Sequence, residues 1–375
     1  MKVGILTHPL TNNYGGILQN YALQSVIREM GHEPITLDYR TSMPLKNIIA
    51  SYASRLIKNL RGGHYPLRGW PTWKEQEVIN QQTRKFIKSN IATTKSVDIK
   101  DLGLLSRLDW GAIVVGSDQV WRGNNRYIKK FFLSDFENIN IPKIAYAVSF
   151  GVDSWNYTKR ETIECAKLAK KFKYISVREN SAQQLCKSHL DINAEWVLDP
   201  TFLIEREKYE MLVRLKYPNI SSHKKMMVYV LDKSEKKREI VNLISKSLSL
   251  TQNEVMAKKK FSEVGSEGLN DCVFPSVEEW LKGFIESEFV VTDSFHGTVF
   301  SIIFNKPFLT MTNNSRGNSR LVSLLSSLHL QDRLVNESTE NVERIINSSI
   351  NYEEINTMLS SWKNESIQFL KRGLQ

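Results

Sequence analysis

Short apolar runs alternate with amphipathic stretches along most of this chain, and the alternation predicts an α/β fold. Residues Lys2 to Leu6 and Pro34 to Tyr39 have the apolar character of buried strands. Between them, apolar positions from Ile17 to Met30 recur at helical spacing, after a loop predicted at residues 11–16. The chain is therefore predicted to open with a strand, a helix and a second, parallel strand.

Later apolar runs share a second property, because each ends in polar residues or glycine. The runs are Ala112-Ile-Val-Val-Gly116, Ile144-Ala-Tyr-Ala-Val148, Tyr174-Ile-Ser-Val177 and Trp196-Val-Leu198. The carboxyl ends of parallel strands meet at one edge of a sheet, and ligands bind in the crevice beside that edge. The polar ends of these runs therefore predict one crowded rim.

The alternation restarts beyond residue 203, with strands predicted at Met226 to Leu231 and near Glu254 to Ala257. We predict three parts on this basis. Residues 1–203 form an N-terminal Rossmann-like domain, and residues 204–350 form a second Rossmann-like domain. Residues 351–375 form a helix that packs back across both domains.

The most informative segment follows the strand predicted at Phe289 to Thr292. Asp293 or Ser294 is predicted to cap a short helix whose apolar part is Val299 to Phe304. His296 then lies at the carboxyl end of a strand and the amino end of a helix, where free N–H groups attract an anion. The residues alone leave two interpretations open: a histidine placed for chemistry on a phosphate, or one that only hydrogen-bonds the loop.

Composition narrows the cellular setting. The chain has 375 residues, of which 41% are hydrophobic and 24% are charged, enough for a large buried core. No stretch approaches the roughly 20 apolar residues that cross a bilayer, and Met1 leads directly into a strand rather than a signal peptide. Cys165, Cys186 and Cys272 lack the spacing of metal ligands. We expect a cytoplasmic protein without structural zinc or another metal.

The formal charge of +11 is unevenly distributed, since residues 1–150 contain 20 Lys and Arg against 11 Asp and Glu. Residues 45–61 combine apolar positions at helical spacing with basic residues, and Tyr65, Trp70 and Trp73 follow. Such a helix can lie on an anionic membrane, and residues 45–73 would then make the contact. The alternative is a helix that covers a sheet. Nucleic acid is not expected as a partner, because no recognition motif accompanies the charge.

Six short motifs occur in order along the chain. They are Asn13-Tyr-Gly-Gly-Ile-Leu-Gln-Asn-Tyr-Ala-Leu-Gln24, Gly116-Ser-Asp-Gln-Val-Trp121, Ser149-Phe-Gly151, Val177-Arg-Glu-Asn180, Leu198-Asp-Pro-Thr201 and Asp293-Ser-Phe-His-Gly297. Together they resemble the polysaccharide pyruvyl transferase family. The resemblance implies a glycosyltransferase-B-like fold, in which two Rossmann-like domains face each other across the active-site cleft. It also implies transfer of pyruvate from phosphoenolpyruvate to two hydroxyls of a sugar as a cyclic ketal, without a cofactor or metal.

The resemblance assigns donor-binding roles. Arg178 matches an arginine that the family uses for donor binding, although an ion pair with Glu179 or Asp199 is the structural alternative. His296 matches the family's donor-site histidine, for which we expect contact with phosphate and acid–base catalysis. Gly297 completes that motif. Arginine suits a donor with both a phosphate and a carboxylate, because its planar guanidinium binds each group through two hydrogen bonds.

The sequence departs from the family at one place. Better-studied members carry an arginine shortly before the histidine, where this chain has Ser294-Phe295. Ser294 is still predicted to contact the donor. Arg316 or Arg320, in the polar stretch after the next strand, is expected to supply the missing charge. Otherwise that stretch is an unpaired surface loop and the donor differs.

Acceptor binding is predicted at the rim of the first domain, where polar side chains can meet sugar hydroxyls and Trp121 can meet a sugar face. The predicted residues are Asn13, Tyr14, Gly15, Gly16, Gln19, Asn20, Ser117, Asp118, Gln119 and Trp121. Asp118 is predicted to deprotonate the attacking hydroxyl, and capping of the next turn is its alternative role.

These inferences predict an enzyme that ketalises a sugar of a lipid-linked precursor of a surface polysaccharide, such as an exopolysaccharide or a capsule. Its partners would be phosphoenolpyruvate, a saccharide acceptor and, through the basic helix, the membrane. Two alternatives remain open at this level. One is a glycosyltransferase that uses a nucleotide sugar, and the other is a non-catalytic protein that binds anionic glycan or membrane.

Overall fold

Two parallel β-sheets form the framework of the computed structural model, which describes residues 1–41, 45–220, 224–313 and 315–375. The first sheet has six strands in the order β2-β1-β5-β6-β7-β8. Their bounds are β1 Lys2–Leu6, β2 Glu33–Thr36, β5 Ala112–Val115, β6 Lys143–Val148, β7 Tyr174–Val177 and β8 Glu195–Trp196. A separate pair joins β3 Tyr39–Arg40 to β4 Val97–Asp98.

The second sheet has five strands in the order β10-β9-β11-β12-β13, and all of its pairs are parallel. Its strands are β9 Lys225–Tyr229, β10 Thr251–Glu254, β11 Phe289–Thr292, β12 Phe308–Met311 and β13 Leu334–Val335. Each sheet therefore collects the carboxyl ends of its strands at one edge.

Helices connect the strands of both sheets. Those before β9 are α1 Tyr14–Glu29, α2 Leu45–Leu60, α3 Trp73–Ile79, α4 Gln81–Asn90, α5 Ile128–Phe131, α6 Lys159–Ala169, α7 Asn180–Leu185 and α8 Arg206–Lys216. Those after β9 are α9 Glu235–Ser247, α10 Phe261–Val264, α11 Val277–Glu286, α12 Phe295–Ile303, α13 Ser319–Ser327, α14 Val342–Ile346 and α15 Tyr352–Leu374. In the described part of the chain, none of these helices has the length and apolarity that crossing a bilayer requires.

The largest apolar core lies between the two sheets and contains residues from both. Successive residues of a strand face opposite sides, so Val114 enters this shared core while Ile113 and Val115 enter a second core on the other face of the first sheet. Tyr14 stacks on Trp280 with 5.3 Å between ring centroids. The shared core therefore fixes one domain against the other through close packing.

The C-terminal helix α15 contacts both halves of the molecule. Its Phe369 ring lies 6.0 Å from the Tyr146 ring of β6, and Gly373 packs closely on Ile144. At the other end, the hydroxyl of Tyr352 donates a hydrogen bond of 2.5 Å to the carbonyl of Lys306 beside β12. The helix thus crosses from one sheet to the other.

The structure corrects two predicted boundaries. The stretch predicted as a loop at residues 11–16 already contains the first turn of α1, whose N-cap Asn13 accepts a hydrogen bond from the Gly16 backbone N–H. Strand β10 ends at Glu254, where its pairing with β9 ends, rather than continuing to Ala257. Helix α12 begins at Phe295 behind the N-cap Ser294, one of the two predicted cap residues.

Helix α2 has the predicted basic and apolar composition, and its apolar side chains do not cover a sheet. Ile49, Leu56 and Leu60 are 60%, 53% and 79% exposed. The helix is attached through Arg55, which donates hydrogen bonds to the carbonyls of Pro66 and Ser262. The interpretation of residues 45–61 as a sheet-covering helix is therefore wrong.

Candidate active site

A polar cavity of about 200 Å³ lies where the carboxyl edges of the two sheets face each other. It is lined by His8, Asn13, Asp118, Gln119, Arg122, Leu231, Asp293, Ser294, Phe295, His296, Asn313, Arg316, Gly317, Arg320 and Leu321. Both domains contribute to this wall. The cleft site implied by the family resemblance has a physical counterpart here.

His296 lies in the first turn of α12, behind the N-cap Ser294. N–H groups in the first turn of a helix have no partner within the helix, and they carry the positive end of the helix dipole. The His296 side chain is buried, and its Nε2 atom has no hydrogen-bond partner among the described residues. The N–H groups at the amino end of α12 therefore form a site suited to an anion, while His296 Nε2 lies 3.7 Å from the Asp199 carboxylate.

Gly15 of α1 lies against the His296 ring, from the opposite domain. A Cβ atom on Gly15 would overlap the Nδ1 side of the imidazole, so glycine is required for this close approach. The neighbouring Gly16 has more room, because its Cβ would lie 3.1 Å from Asn13 Nδ2. The first turn of α1 thus positions the histidine rather than forming a loop.

Asp199 occupies the centre of the buried polar network beneath the cavity. Its Oδ2 atom accepts hydrogen bonds from Gln19, from Ser117 Oγ at 3.2 Å and from Arg178 Nη1 at 2.7 Å. His296 Nε2 lies 3.7 Å from the same oxygen. Burial alone would raise the pKa of Asp199, but His296 and Arg178 outweigh burial and hold that pKa far below its usual range. Asp199 is thus a fixed negative charge behind His296.

Phe295 separates two arginines, one from each domain. The guanidinium of Arg178 lies 4.5 Å from the centre of its ring, and that of Arg320 lies 5.5 Å from it. Arg178 is ion-paired with Asp199, which was its structural alternative, and does not line the cavity. Burial, followed by repulsion from Arg178, lowers the pKa of Arg320 to about 10. Phe295, in the Ser294-Phe295 segment where the resemblance implies an arginine, thus contacts two arginines from elsewhere in the chain.

Arg320 and Arg316 differ in their availability to a ligand. Arg320 is buried, donates one hydrogen bond to the Arg316 carbonyl, and has no partner for its Nε atom among the described residues. Arg316 is 48% exposed and its Nε donates to Asp232 at 2.8 Å. Both arginines line the cavity, but Arg320 keeps a buried Nε atom without a hydrogen-bond partner among the described residues, whereas Arg316 is engaged by Asp232.

The segment that carries these arginines is docked on the first domain. Gln119 Nε2 donates to the Arg316 carbonyl at 3.2 Å, and Arg122 Nη2 donates to the Ser315 carbonyl at 3.2 Å. Gly317 has a φ of +82° and lies so close to the Gly151 carbonyl that a side chain would not fit. These contacts contradict the alternative of an unpaired surface loop, although Asn314 lies outside the described residues.

Asp118 faces the cavity from the first domain in a left-handed backbone conformation, with φ of +92°. Its Oδ2 atom accepts a hydrogen bond from Asn13 at 3.4 Å, and its Oδ1 atom accepts one from the Gln119 backbone N–H. Burial would raise the pKa of Asp118, but His8, Arg178 and other cations outweigh it and lower the pKa. The carboxyl group is therefore ionised and weakly basic near neutrality.

Asp293 does not cap helix α12, contrary to one predicted role. Its carboxylate accepts hydrogen bonds from the backbone N–H groups of Leu231 and Asp232, and it pairs with buried Lys237 at 2.8 Å. Ser294 is the N-cap residue, but its side chain makes no capping hydrogen bond. Asp293 therefore fixes the loop after β9 to the loop after β11.

Seven of the predicted acceptor residues do not line the cavity. Two are Gly15 and Gly16, and the other five have buried side chains: Tyr14, Gln19, Asn20, Ser117 and Trp121. Trp121 is wrong as a sugar platform, because its ring stacks on Phe132 at 4.3 Å within the core. The Tyr14 ring stacks on Trp280, and the Asn20 side chain accepts a hydrogen bond from the Thr36 hydroxyl. Gln19 and Ser117 donate hydrogen bonds to Asp199.

Two glycines in the predicted site also have packing roles. A Cβ on Gly297 would overlap Thr292 Oγ1, so glycine lets α12 pack on the end of β11. Gly16 packs beside Asn13 in the first turn of α1. Asn13, Asp118, Gln119, Ser294, His296, Arg316 and Arg320 are the predicted residues that do line the cavity.

Sequence reasoning missed His8, Arg122 and the central position of Asp199. His8 follows β1 directly, so the rule that polar residues at strand ends form the rim could have identified it. Asp199 belongs to the motif Leu198-Asp-Pro-Thr201, but nothing in the sequence shows that four distant side chains converge on it. Within the described ranges, no group of three or more His, Cys, Asp and Glu residues lies close enough together to hold a metal.

The fold is similar to that of several solved structures. The Arabidopsis thaliana protein UGT89C1, solved with quercetin, has a TM-score of 0.52 at 10% identity, with 100% of this chain and 99% of that chain covered. UDP-GlcNAc 2-epimerase from Neisseria meningitidis, solved with UDP-GlcNAc, has a TM-score of 0.51 at 9% identity, with coverage of 100% and 99%. At these identities the similarity shows the fold alone, and it confirms the predicted glycosyltransferase-B-like arrangement.

A comparison with curated protein sequences finds no match. The sequence model described as "Polysaccharide pyruvyl transferase", in contrast, matches residues 13–315. This range contains Asp118, Asp199 and His296, around which the cavity is built. The resemblance drawn from the six motifs is confirmed, and the chain belongs to the polysaccharide pyruvyl transferase family of enzymes.

Proposed function

We propose that this enzyme transfers pyruvate from phosphoenolpyruvate to two hydroxyls of a saccharide, forming a cyclic ketal and releasing phosphate. The observation that carries the proposal is that the amino end of α12, which bears His296 backed by Asp199, and the buried Arg320 line the same cavity. Phosphoenolpyruvate carries two anionic groups, and this cavity offers two separate sets of cationic or N–H donors.

The reaction is balanced without an oxidant or a cofactor. A proton adds to the methylene carbon of phosphoenolpyruvate, and one sugar hydroxyl adds to C2. The C2–O bond to phosphate then breaks, and the second hydroxyl adds to the same carbon. The proton lost by one hydroxyl replaces the one delivered to the methylene carbon, while the proton lost by the other leaves with phosphate.

His296 is the proposed proton donor to the methylene carbon, with Asp199 behind it stabilising the protonated ring. Arg320 and the first-turn N–H groups of α12 hold the anionic groups of the donor. Asp118 is better suited to orienting a sugar hydroxyl than to removing its proton, because its lowered pKa makes it a weak base. Once it has given its proton to the methylene carbon, His296 is the proposed acceptor of the hydroxyl proton.

The proposed acceptor is a lipid-linked saccharide presented at a membrane surface. Helix α2 exposes Ile49, Leu56 and Leu60, carries basic residues, and contains no Asp or Glu between residues 45 and 60. Exposed apolar side chains together with basic residues favour an anionic bilayer surface, where each cation contributes about 1 kcal/mol.

The membrane part is tested with liposomes that contain anionic lipid. The double variant Ile49→Ser and Leu60→Ser should bind them less tightly than the unaltered chain. The matched control is the double variant Ile163→Ser and Leu215→Ser. It changes two exposed apolar residues outside α2 and should bind the liposomes normally. Equal binding by both double variants would remove α2 from the membrane contact.

Turnover is tested by incubating the purified chain with phosphoenolpyruvate and a panel of saccharides, some of them lipid-linked. Phosphate release and a gain of pyruvate mass on the acceptor are expected. His296→Ala should abolish both while preserving the thermal unfolding curve, whereas His329→Ala, at an exposed histidine, should leave both unchanged. A thermal shift with nucleotide diphosphate rather than with phosphoenolpyruvate would favour nucleotide-sugar transfer instead.

A further inference from the structure

A second, larger cavity of about 800 Å³ adjoins the reaction cavity, and Leu231 lines both. We call it the lysine groove, because Lys233, Lys258, Lys259 and Lys260 line its side on the second domain. These lysines follow β9 and β10, at the same carboxyl edge of the sheet as His296. The groove therefore extends the site away from the reacting centre.

The groove carries an excess of positive charge, because four lysines line it together with two glutamates, Glu254 and Glu263. Lys233 pairs with Glu254 at 2.6 Å, and Lys259 lies 3.8 Å from Asp271. Lys258 and Lys260 form no ion pair within the part of the chain that the structure describes. Compact ammonium groups on flexible stems suit a ligand with several negative charges close together.

The far side of the groove leads toward the exposed helix α2. Ser262, two residues beyond Lys260, accepts a hydrogen bond from Arg55 of α2 at 3.1 Å. Ser266 in the same region accepts one from Arg68 at 2.9 Å. A ligand that occupies the groove thus has the reaction cavity at one end and an exposed apolar helix at the other.

We infer that the lysine groove binds the diphosphate that joins the acceptor saccharide to an apolar carrier chain. The saccharide would extend past Leu231 into the reaction cavity, and the carrier would leave along α2. A diphosphate matches the groove in charge, and an apolar chain matches the exposed Leu56 and Leu60. This inference rests on the proposed function, since it specifies how the acceptor of that reaction is held.

The inference is tested by binding of farnesyl diphosphate, inorganic diphosphate and UDP to the full chain, by calorimetry at low salt. The test variant is Lys258→Gln, Lys259→Gln and Lys260→Gln combined. The matched control combines Lys187→Gln, Lys236→Gln and Lys246→Gln, which removes the same charge from exposed positions outside the groove. Farnesyl diphosphate should bind unaltered protein most tightly of the three ligands.

The groove variant should bind farnesyl diphosphate about tenfold more weakly, because each exposed ion pair contributes a factor of about 2 to 5. The control should bind it normally. Equal binding by the groove variant and the unaltered chain would overturn the inference. If UDP binds most tightly of the three ligands, the diphosphate in the groove belongs to a nucleotide, and the inference of a lipid carrier is wrong.

A separate readout distinguishes this inference from the proposed function. Turnover of phosphoenolpyruvate with a saccharide that lacks a diphosphate should be the same in the groove variant and in the unaltered chain. With the diphosphate-linked saccharide, the groove variant should show a raised acceptor KM and an unchanged KM for phosphoenolpyruvate. No turnover with any acceptor would contradict the proposed function, while the binding results would still decide the role of the groove.

Discussion

Replacing Gly15 with alanine should inactivate the enzyme through a contact that spans the two domains. Gly15 is helical, and alanine in a helix is intrinsically more stable than glycine by about 0.5–1 kcal/mol. The new methyl group, however, overlaps the His296 ring. The ring can escape by leaving its rotamer at a cost of about 0.5–1.5 kcal/mol, so the two effects nearly cancel in stability.

The effect on catalysis should be much larger. A displacement of about 1 Å at a reacting group can reduce the rate about 100-fold, and His296 must move by a comparable distance. We expect Gly15→Ala to lower kcat about 100-fold in an assay of phosphate release, with little change in Tm. Gly103→Ala is the matched control, because Gly103 also lies in a helical turn, does not line the cavity, and its methyl group would meet Asp135 at an ordinary contact distance of 3.5 Å. Its kcat should stay within about twofold of the unaltered enzyme.

A double-mutant cycle shows whether Gly15 acts through His296. The cycle is measured in the free energy of unfolding, because His296→Ala leaves no turnover to compare. In the His296→Ala background, Gly15→Ala should stabilise the fold by about 0.5–1 kcal/mol, since the ring that the methyl group overlaps is absent and alanine favours the helix. A Gly15→Ala enzyme that folds and retains normal kcat would refute the proposed position of the working histidine. So would the same change in stability whether or not His296 is present.

Three further outcomes are expected. Arg320→Gln should raise the KM for phosphoenolpyruvate about tenfold or more, whereas Arg316→Gln should change it less, because Arg316 is exposed and already ion-paired; equal effects in steady-state assays would contradict this order. Burial raises the pKa of Glu179, so the folded chain keeps a proton that the unfolded chain loses above its ordinary pKa of 4.5, and stability falls as pH rises. In Glu179→Gln, the Tm should fall less between pH 4.5 and higher pH than it does in the unaltered chain. The same dependence of Tm on pH in both proteins would contradict the raised pKa of Glu179. Tyr14→Phe should cost about 1 kcal/mol in denaturant unfolding by removing the 2.8 Å hydrogen bond to the Pro275 carbonyl, and no loss would show that water replaces it.

Much of the fold could be predicted because it depends on local periodicity. Buried parallel strands appear in the sequence as continuous apolar runs, and the polar residues after them mark the rim of the sheet. His8, Asp118 and His296 all lie at such positions and line the cavity. Rim position could be inferred because the strand direction determines which end of each run faces the site.

The same rule failed where a polar or aromatic side chain turns away from the rim. Trp121 follows a strand as predicted, yet its ring stacks on Phe132 in the core. Gln19 lies one turn beyond Gly15 but points into the network around Asp199. Sequence position indicates the neighbourhood of a side chain, whereas its direction depends on partners that are distant along the chain.

The sequence by itself determined the family, the alternation of strands and helices, and a histidine at the start of a helix, because short segments encode these features. Only the tertiary structure decided which arginines lie beside the Ser294-Phe295 segment. Phe295 lies between Arg178 and Arg320, which come from different domains and meet only when the two sheets face each other. Likewise, the need for glycine at position 15 arises from a ring 281 residues away in the chain. Contacts between such distant residues depend on packing, which local propensity does not specify.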